Sequence, residues 1–211
     1  MKYRTFAPAI AILLLLMTAA CHRIKNITDY NAWLNDPDNG CLQSRHLGGM
    51  EITAKYLPAS YVAMKDRQAG GMPISHDSIR SLQQKQVTFL MSISPEDQGG
   101  ERHTGSVAYE GVHNYKEYAE RMLSMNFFMD QHVKMYIDDS AYTPGIAIAE
   151  HVYELSDGKN FMIVFAPGND RVAKAKEILF VYDDPFFSLG KVQFRFSPHA
   201  LERADNLDTD G

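Results

Sequence analysis

Cysteine is nearly missing from this chain, with only Cys21 and Cys41 in 211 residues. That excludes a disulfide-dense scaffold. Neither residue sits in a CxxC or Cys/His spacing of the zinc type. Positive charge is in short supply as well. Lys and Arg number 21 against 26 Asp and Glu, a formal charge of −5. Such a balance argues against a phosphate-seeking, nucleic-acid-binding surface. No segment recurs at a fixed period, which excludes solenoids and propellers. HExxH, G-x-S-x-G and the phosphate-binding G-x-x-x-x-G-K-[ST] are all absent. Ser188-Leu189-Gly190-Lys191 has the S-x-x-K spacing of penicillin-binding enzymes, yet its S-D-N and K-T-G companions occur nowhere. The eight histidines are scattered. Glu150 and His151 are neighbours in a strand-like run, so they point to opposite faces. Asp138-Asp139 and Asp183-Asp184 lack the regular D-x-D-x-D spacing of a calcium loop. The sequence therefore designates no catalytic residue, no metal ligand and no cofactor site.

What the chain does have begins at its N-terminus. Lys2 and Arg4 are the only charges before position 21. An apolar run follows over residues 6–20, densest from Ile10 to Met17, and closes on Thr18, Ala19 and Ala20. A positive start, an apolar middle and a small-residue end describe a secretory signal peptide. The run is 15 residues long, whereas a bilayer-spanning helix needs about 20.

Met17-Thr18-Ala19-Ala20-Cys21 resembles the lipobox of bacterial lipoprotein precursors. The resemblance covers residues 1–21 alone. It implies that the Cys21 thiol receives a diacylglyceryl group, that a peptidase cuts just before it, and that the new amine is acylated. The body would then hang from the membrane by acyl chains such as palmitate. Two or three chains, at ~0.8 kcal/mol per buried methylene, give stable anchoring where one does not. Cys41 would be left as a lone thiol. Cut without lipid, the same signal would leave Cys21 free, and a Cys21–Cys41 disulfide would be open to it. Removing residues 1–20 takes Lys2 and Arg4 with it and moves the net charge from −5 to −7. An acidic body is poorly suited to lying flat on an anionic bilayer.

The remainder is globular in composition, at 45% hydrophobic and 22% charged overall. Residues 21–28 read as a lipidated tether, and Asp29 as the cap of a short helix through Leu34. Met50, Ile52, Ala54 and Tyr56 alternate with polar neighbours, the period of a strand. Pro58 suits the first turn of a helix reaching Lys65. Ser75 caps another to about Gln84, with Ile74 and Ile79 placed for a hydrophobic staple. Val87, Phe89, Met91 and Ile93 form a second alternating strand. Residues 94–105, rich in glycine, read as a loop. Asn114-Tyr115-Lys116-Glu117 opens the clearest helix with a capping box. Its Tyr115, Tyr118, Ala119, Met122 and Leu123, then Asn126, share one face, read as the side turned to the sheet.

Five strand-like runs follow. Val133 to Ile137 alternates, and Ile146 to Leu155 is longer. Phe161 to Phe165 is apolar on both faces and therefore central in its sheet. Ile178 to Tyr182 is apolar, and Val192 to Phe196 has one wet face. Short turns between consecutive strands predict an antiparallel meander backed by one or two helices. The fold class is α+β, and its order is similar to cystatin-like and NTF2-like folds, an analogy that carries no function. The expected organisation is a signal peptide at 1–20, a tether at 21–28, one domain at 29–204 and an acidic tail at 205–211.

Phe186 and Phe187 stand at a hairpin tip beside acids and are the candidate partner-binding patch. Against that stands their folding back onto the sheet, the commoner fate of aromatics. The chain reads as an exported, lipid-anchored protein of the bacterial envelope with a binding or assembly role. Its place would be the outer membrane, on the periplasmic or surface side. Its partners are the membrane, through the lipid, and an envelope protein, with no nucleic acid. The alternatives are an envelope hydrolase with a dispersed site near His103 or His113, and a small-ligand carrier using a concave sheet.

Overall fold

The computed structural model describes residues 26–72, 74–96, 106–150, 157–168 and 171–207. Cys21 and the lipobox, His103 and His151 lie outside the described residues.

Helix α1 spans Ile27–Asn35. Its N-cap is Asn26, whose Oδ1 accepts the Asp29 N–H at 2.9 Å, rather than Asp29 itself. Residues 27 and 28 thus belong to the helix and not to the tether. The earlier start places Tyr30 and Leu34 four apart on one face, and both are fully buried. After a 3₁₀ turn at Pro37–Asn39, strands β1 (Leu42–Leu47) and β2 (Met50–Leu57) form a hairpin. Gly48 and Gly49 join them with φ of 58° and 75°. Two left-handed residues between paired strands make the tight turn whose twist matches the strands. A Cβ on Gly48 would stand 2.7 Å from Leu189 Cδ2.

β2 pairs directly with β3 (Val87–Pro95), yet residues 58–86 lie between them and carry α2 (Ala59–Gln68) and α3 (His76–Lys85). Ser75 caps α3 by accepting the Ser78 N–H at 3.2 Å. A 3₁₀ turn at Val107–Tyr109 leads to α4 (Tyr115–Phe127). Its capping box is formed: Asn114 Oδ1 accepts the Glu117 N–H at 3.0 Å, and Glu117 Oε2 accepts the His113 N–H at 2.9 Å. A further 3₁₀ turn at Met129–Gln131 precedes β4 (Val133–Ile137), β5 (Ser140–Tyr142) and β6 (Ile146–Ala149). Then come β7 (Lys159–Phe165), β8 (Ile178–Asp183), β9 (Lys191–Phe196) and α5 (Pro198–Asp205). Asp205, read from sequence as the start of the tail, is the last residue of α5.

The class is α+β with antiparallel pairing throughout, as expected. The five runs from Val133 onward, however, divide between two sheets instead of forming one meander. The first sheet has the order β1-β2-β3-β7-β6 and the second β5-β4-β8-β9. β7 is interior to its sheet, between β3 and β6. β4 bypasses β6 and pairs with β8. The reason lies in the inner face of β3. Val87, Phe89, Met91 and Ile93 are all at most 2% exposed, a broad apolar surface that the second sheet covers. Phe89 meets Phe180 of β8 at 5.1 Å and Phe196 of β9 at 5.0 Å. Such contacts between inner faces make a sandwich whose centre is filled by phenylalanine.

One seam between the sheets is closed by a side chain. The Arg195 N–H of β9 donates to Gln43 Oε1 of β1 at 3.3 Å, and Gln43 Nε2 donates to the Arg195 carbonyl. α1 packs against β2 of the first sheet, and α2 packs against α1. There Lys55 of β2 donates to Asn31 and Asn35, at 3.1 Å each. Among the described residues, no helix is long and apolar enough to cross a membrane.

Candidate functional site

The second sheet turns a face outward that no described helix covers, and the β8–β9 turn overhangs one end of it. That turn, residues 184–190, is organised by one carboxylate. Asp184 Oδ1 accepts the Phe186 N–H at 3.1 Å and the Tyr182 hydroxyl at 2.8 Å. Asp184 Oδ2 accepts the N–H groups of Phe187 and Leu189 at 2.8 and 2.9 Å. Burial, and then the neighbouring carboxylate, hold the Tyr182 phenol protonated far above its usual range. Ser188 takes φ 59° within the turn, so the S-x-x-K spacing opens no helix. Lys191 of that spacing instead approaches Asp183 Oδ2 at 3.6 Å.

This arrangement sets the direction of Phe186 and Phe187. Both are half-buried and pack against the core cluster. Phe186 meets the His132 ring at 6.0 Å. The Arg121 guanidinium of α4 lies 5.0 Å from the centre of Phe187 and donates to the Phe186 carbonyl at 3.3 Å. The two aromatics therefore form the wall of the turn, held between His132 and Arg121.

A groove of about 240 Å³ runs across that face. β4 gives it Lys134 and Tyr136, β8 gives Leu179, Val181 and Asp183, and β9 gives Lys191 and Gln193. Gln131 and His132 close the end beneath Phe186. Its floor is apolar, with Val181 only 8% exposed. Its rim is polar, with the donor Lys191 and the acceptor Asp183 67% and 58% exposed in their side chains. Drug-sized ligands occupy pockets of roughly 300–1,000 Å³. This groove is smaller and open, which suits a side chain or short segment of a partner carrying acceptors beside an apolar group. The alternation of Lys191 and Gln193 revealed the outward side of β9 in the sequence. Lys134 and Tyr136 carry the same signal between Val133, Met135 and Ile137, but only pairing with β8 brings them to one surface.

Elsewhere the groups with the most displaced ionisation are spent on internal bonds. Tyr56 donates to Asp205 Oδ1 at 2.7 Å. Tyr30 shares a hydrogen bond with Ser60 Oγ at 2.8 Å and donates to the Ala204 carbonyl at 3.0 Å. Cys41 is buried and free, and burial pushes its thiol up to about 11. Asp138 Oδ1 accepts the N–H groups of Lys176 and Glu177, at 2.9 and 3.1 Å, as a turn acid. His113 stands exposed at the cap of α4. Among the described residues, no three His, Cys, Asp or Glu side chains gather as a metal site. No protein-family model matches the chain, and no curated protein or solved structure matches it.

Proposed function

We propose that this chain is the precursor of an exported, lipid-anchored envelope protein whose body binds a protein partner without catalysis of its own. One observation carries the reading: two basic residues, a 15-residue apolar run and small residues ending at Cys21 occur in that order. Asn26 lies five residues along the chain from Cys21, with four residues between them. Fully extended, these five steps span at most ~18 Å, so an anchored body would ride close to the bilayer. The outer membrane, on its periplasmic or surface side, is the proposed address. The groove supports binding over carriage, because it is shallow and external while the sandwich interior is filled by Phe89, Phe165, Phe180 and Phe196.

The test compares wild type with Cys21→Ser in cells fed labelled palmitate. Wild type incorporates label and sediments with membranes, while the variant does neither. In the same cells, an envelope-protein adduct formed by chemical cross-linking is lost in Lys134→Glu/Lys191→Glu. An unlabelled, water-soluble wild type, or a mature chain still carrying Met1, overturns the anchoring. An adduct unchanged by the double variant overturns the groove.

A further inference from the structure

Ten large apolar side chains stand well exposed among the described residues, and seven of them lie on α4, on the turn stacked against it, or on the neighbouring strand β6. Tyr115, Leu123 and Phe127 lie on α4, at 82%, 52% and 70% exposure. Phe128 ends the helix, and Tyr109 stacks on Tyr118 of α4 at 4.5 Å. Ile146 and Ile148 stand on the edge strand β6, which packs beside α4. The core contact of α4 is made from its other side, through Met125 and Arg121. So many exposed apolar groups on neighbouring elements are unusual on a solitary protein.

The spacing on the helix says what fits it. Tyr115, Ala119, Leu123 and Phe127 follow one another at intervals of four, forming one ridge. We propose that a second copy of this chain covers this face, with α4 antiparallel to its counterpart about a two-fold axis between Ala119 and Leu123. Rotation about that axis sets Tyr115 against the partner's Phe127. It also sets the exposed Ala119, a small residue, against the partner's Leu123. A hole thus receives a knob twice, as a self-complementary interface requires. The ridge itself carries no charge. Glu120, one residue from the axis, approaches its own copy there, and each is offset by its Lys116, 3.8 Å away on the same helix.

The area is sufficient. Seven such side chains at these exposures present roughly 700–800 Å², about what each partner contributes to a stable interface. A lipid surface is the less suitable occupant. Glu110, Glu117 and Glu120 are exposed around the same face, and anionic headgroups would repel them. The proposal does not depend on the anchor.

Sedimentation equilibrium of the full chain, in density-matched detergent at ~10 µM, tests it against a micromolar association. Wild type is expected to sediment as a dimer, and Leu123→Glu to weaken association at least about tenfold. Because Leu123 is exposed, the variant should melt like the wild-type monomer. Ala119→Trp separates the occupants. It fills the hole and weakens the dimer, whereas it would strengthen attachment to vesicles of phosphatidylethanolamine and phosphatidylglycerol. A monomeric wild type, a dimer untouched by both variants, or tighter vesicle binding by Ala119→Trp without loss of dimer overturns the proposal.

Discussion

Asp205 shows how one residue can tie pH to stability. Its carboxyl is pushed up to about 6, chiefly by burial, with Glu202 adding to the rise and the Tyr56 hydrogen bond opposing it. The ordinary value is 3.8. A folded-state value above the unfolded one means that the fold prefers the protonated form. Its stabilising contribution is complete below about pH 4 and is lost as pH rises through about 6. Two units correspond to at most ~3 kcal/mol. Asp205→Asn keeps an acceptor for Tyr56 and removes the titration. Thermal melts from pH 4 to 8 should give a flatter Tm profile for the variant, and an unchanged slope would refute the assignment. Sequence placed Asp205 in an acidic tail, because nothing local announces that Tyr56, 149 positions away, will donate to it. Phe186 and Phe187 were more legible. Aromatics after Asp-Asp-Pro mark a turn, but their inward direction depends on three N–H groups converging on Asp184.

Elements were read best where a cap or a strict alternation spoke for them. The box at Asn114 and the cap at Ser75 form as the residues imply, and β2, β3 and β9 follow their period of two. β1 was not legible, since Gln43, Ser44, Arg45 and His46 offer no apolar face. β5 is only three residues long. The hairpin turn between β1 and β2 supplies a comparison at this scale. Gly48→Ala meets both a left-handed φ and the Leu189 methyl at 2.7 Å, whereas Gly49→Ala has the φ alone. Urea unfolding should show a loss of about 2 kcal/mol or more for the first and about 1 for the second. Equal losses would mean that Leu189 yields freely.

At the scale of the molecule, strand pairing decided what sequence could not. The both-sided apolar character of Phe161 to Phe165 located β7 inside a sheet but could not say which strands flank it. β3, some 70 residues earlier, is one of them. Non-local pairing of this kind leaves no periodic trace. It also left the groove unreadable, since its three strands meet only in the second sheet. The seam at Gln43 is likewise a product of the whole. Gln43→Ala removes both bonds to the Arg195 backbone, so the Arg195 amide should exchange hydrogen faster and the fold lose about 1 kcal/mol. Unaltered exchange would show that the sheets hold together there without it.

Tyr30 of α1 is bonded to Ala204 of α5, so the polypeptide enters and leaves its fold at one place. A body built this way can be spliced into a surface loop of a host protein through two short linkers, without stretching either end. The same adjacency means that a fluorophore fused after residue 207 would sit beside the start of α1, where it would report whether the two ends of the fold stay docked together.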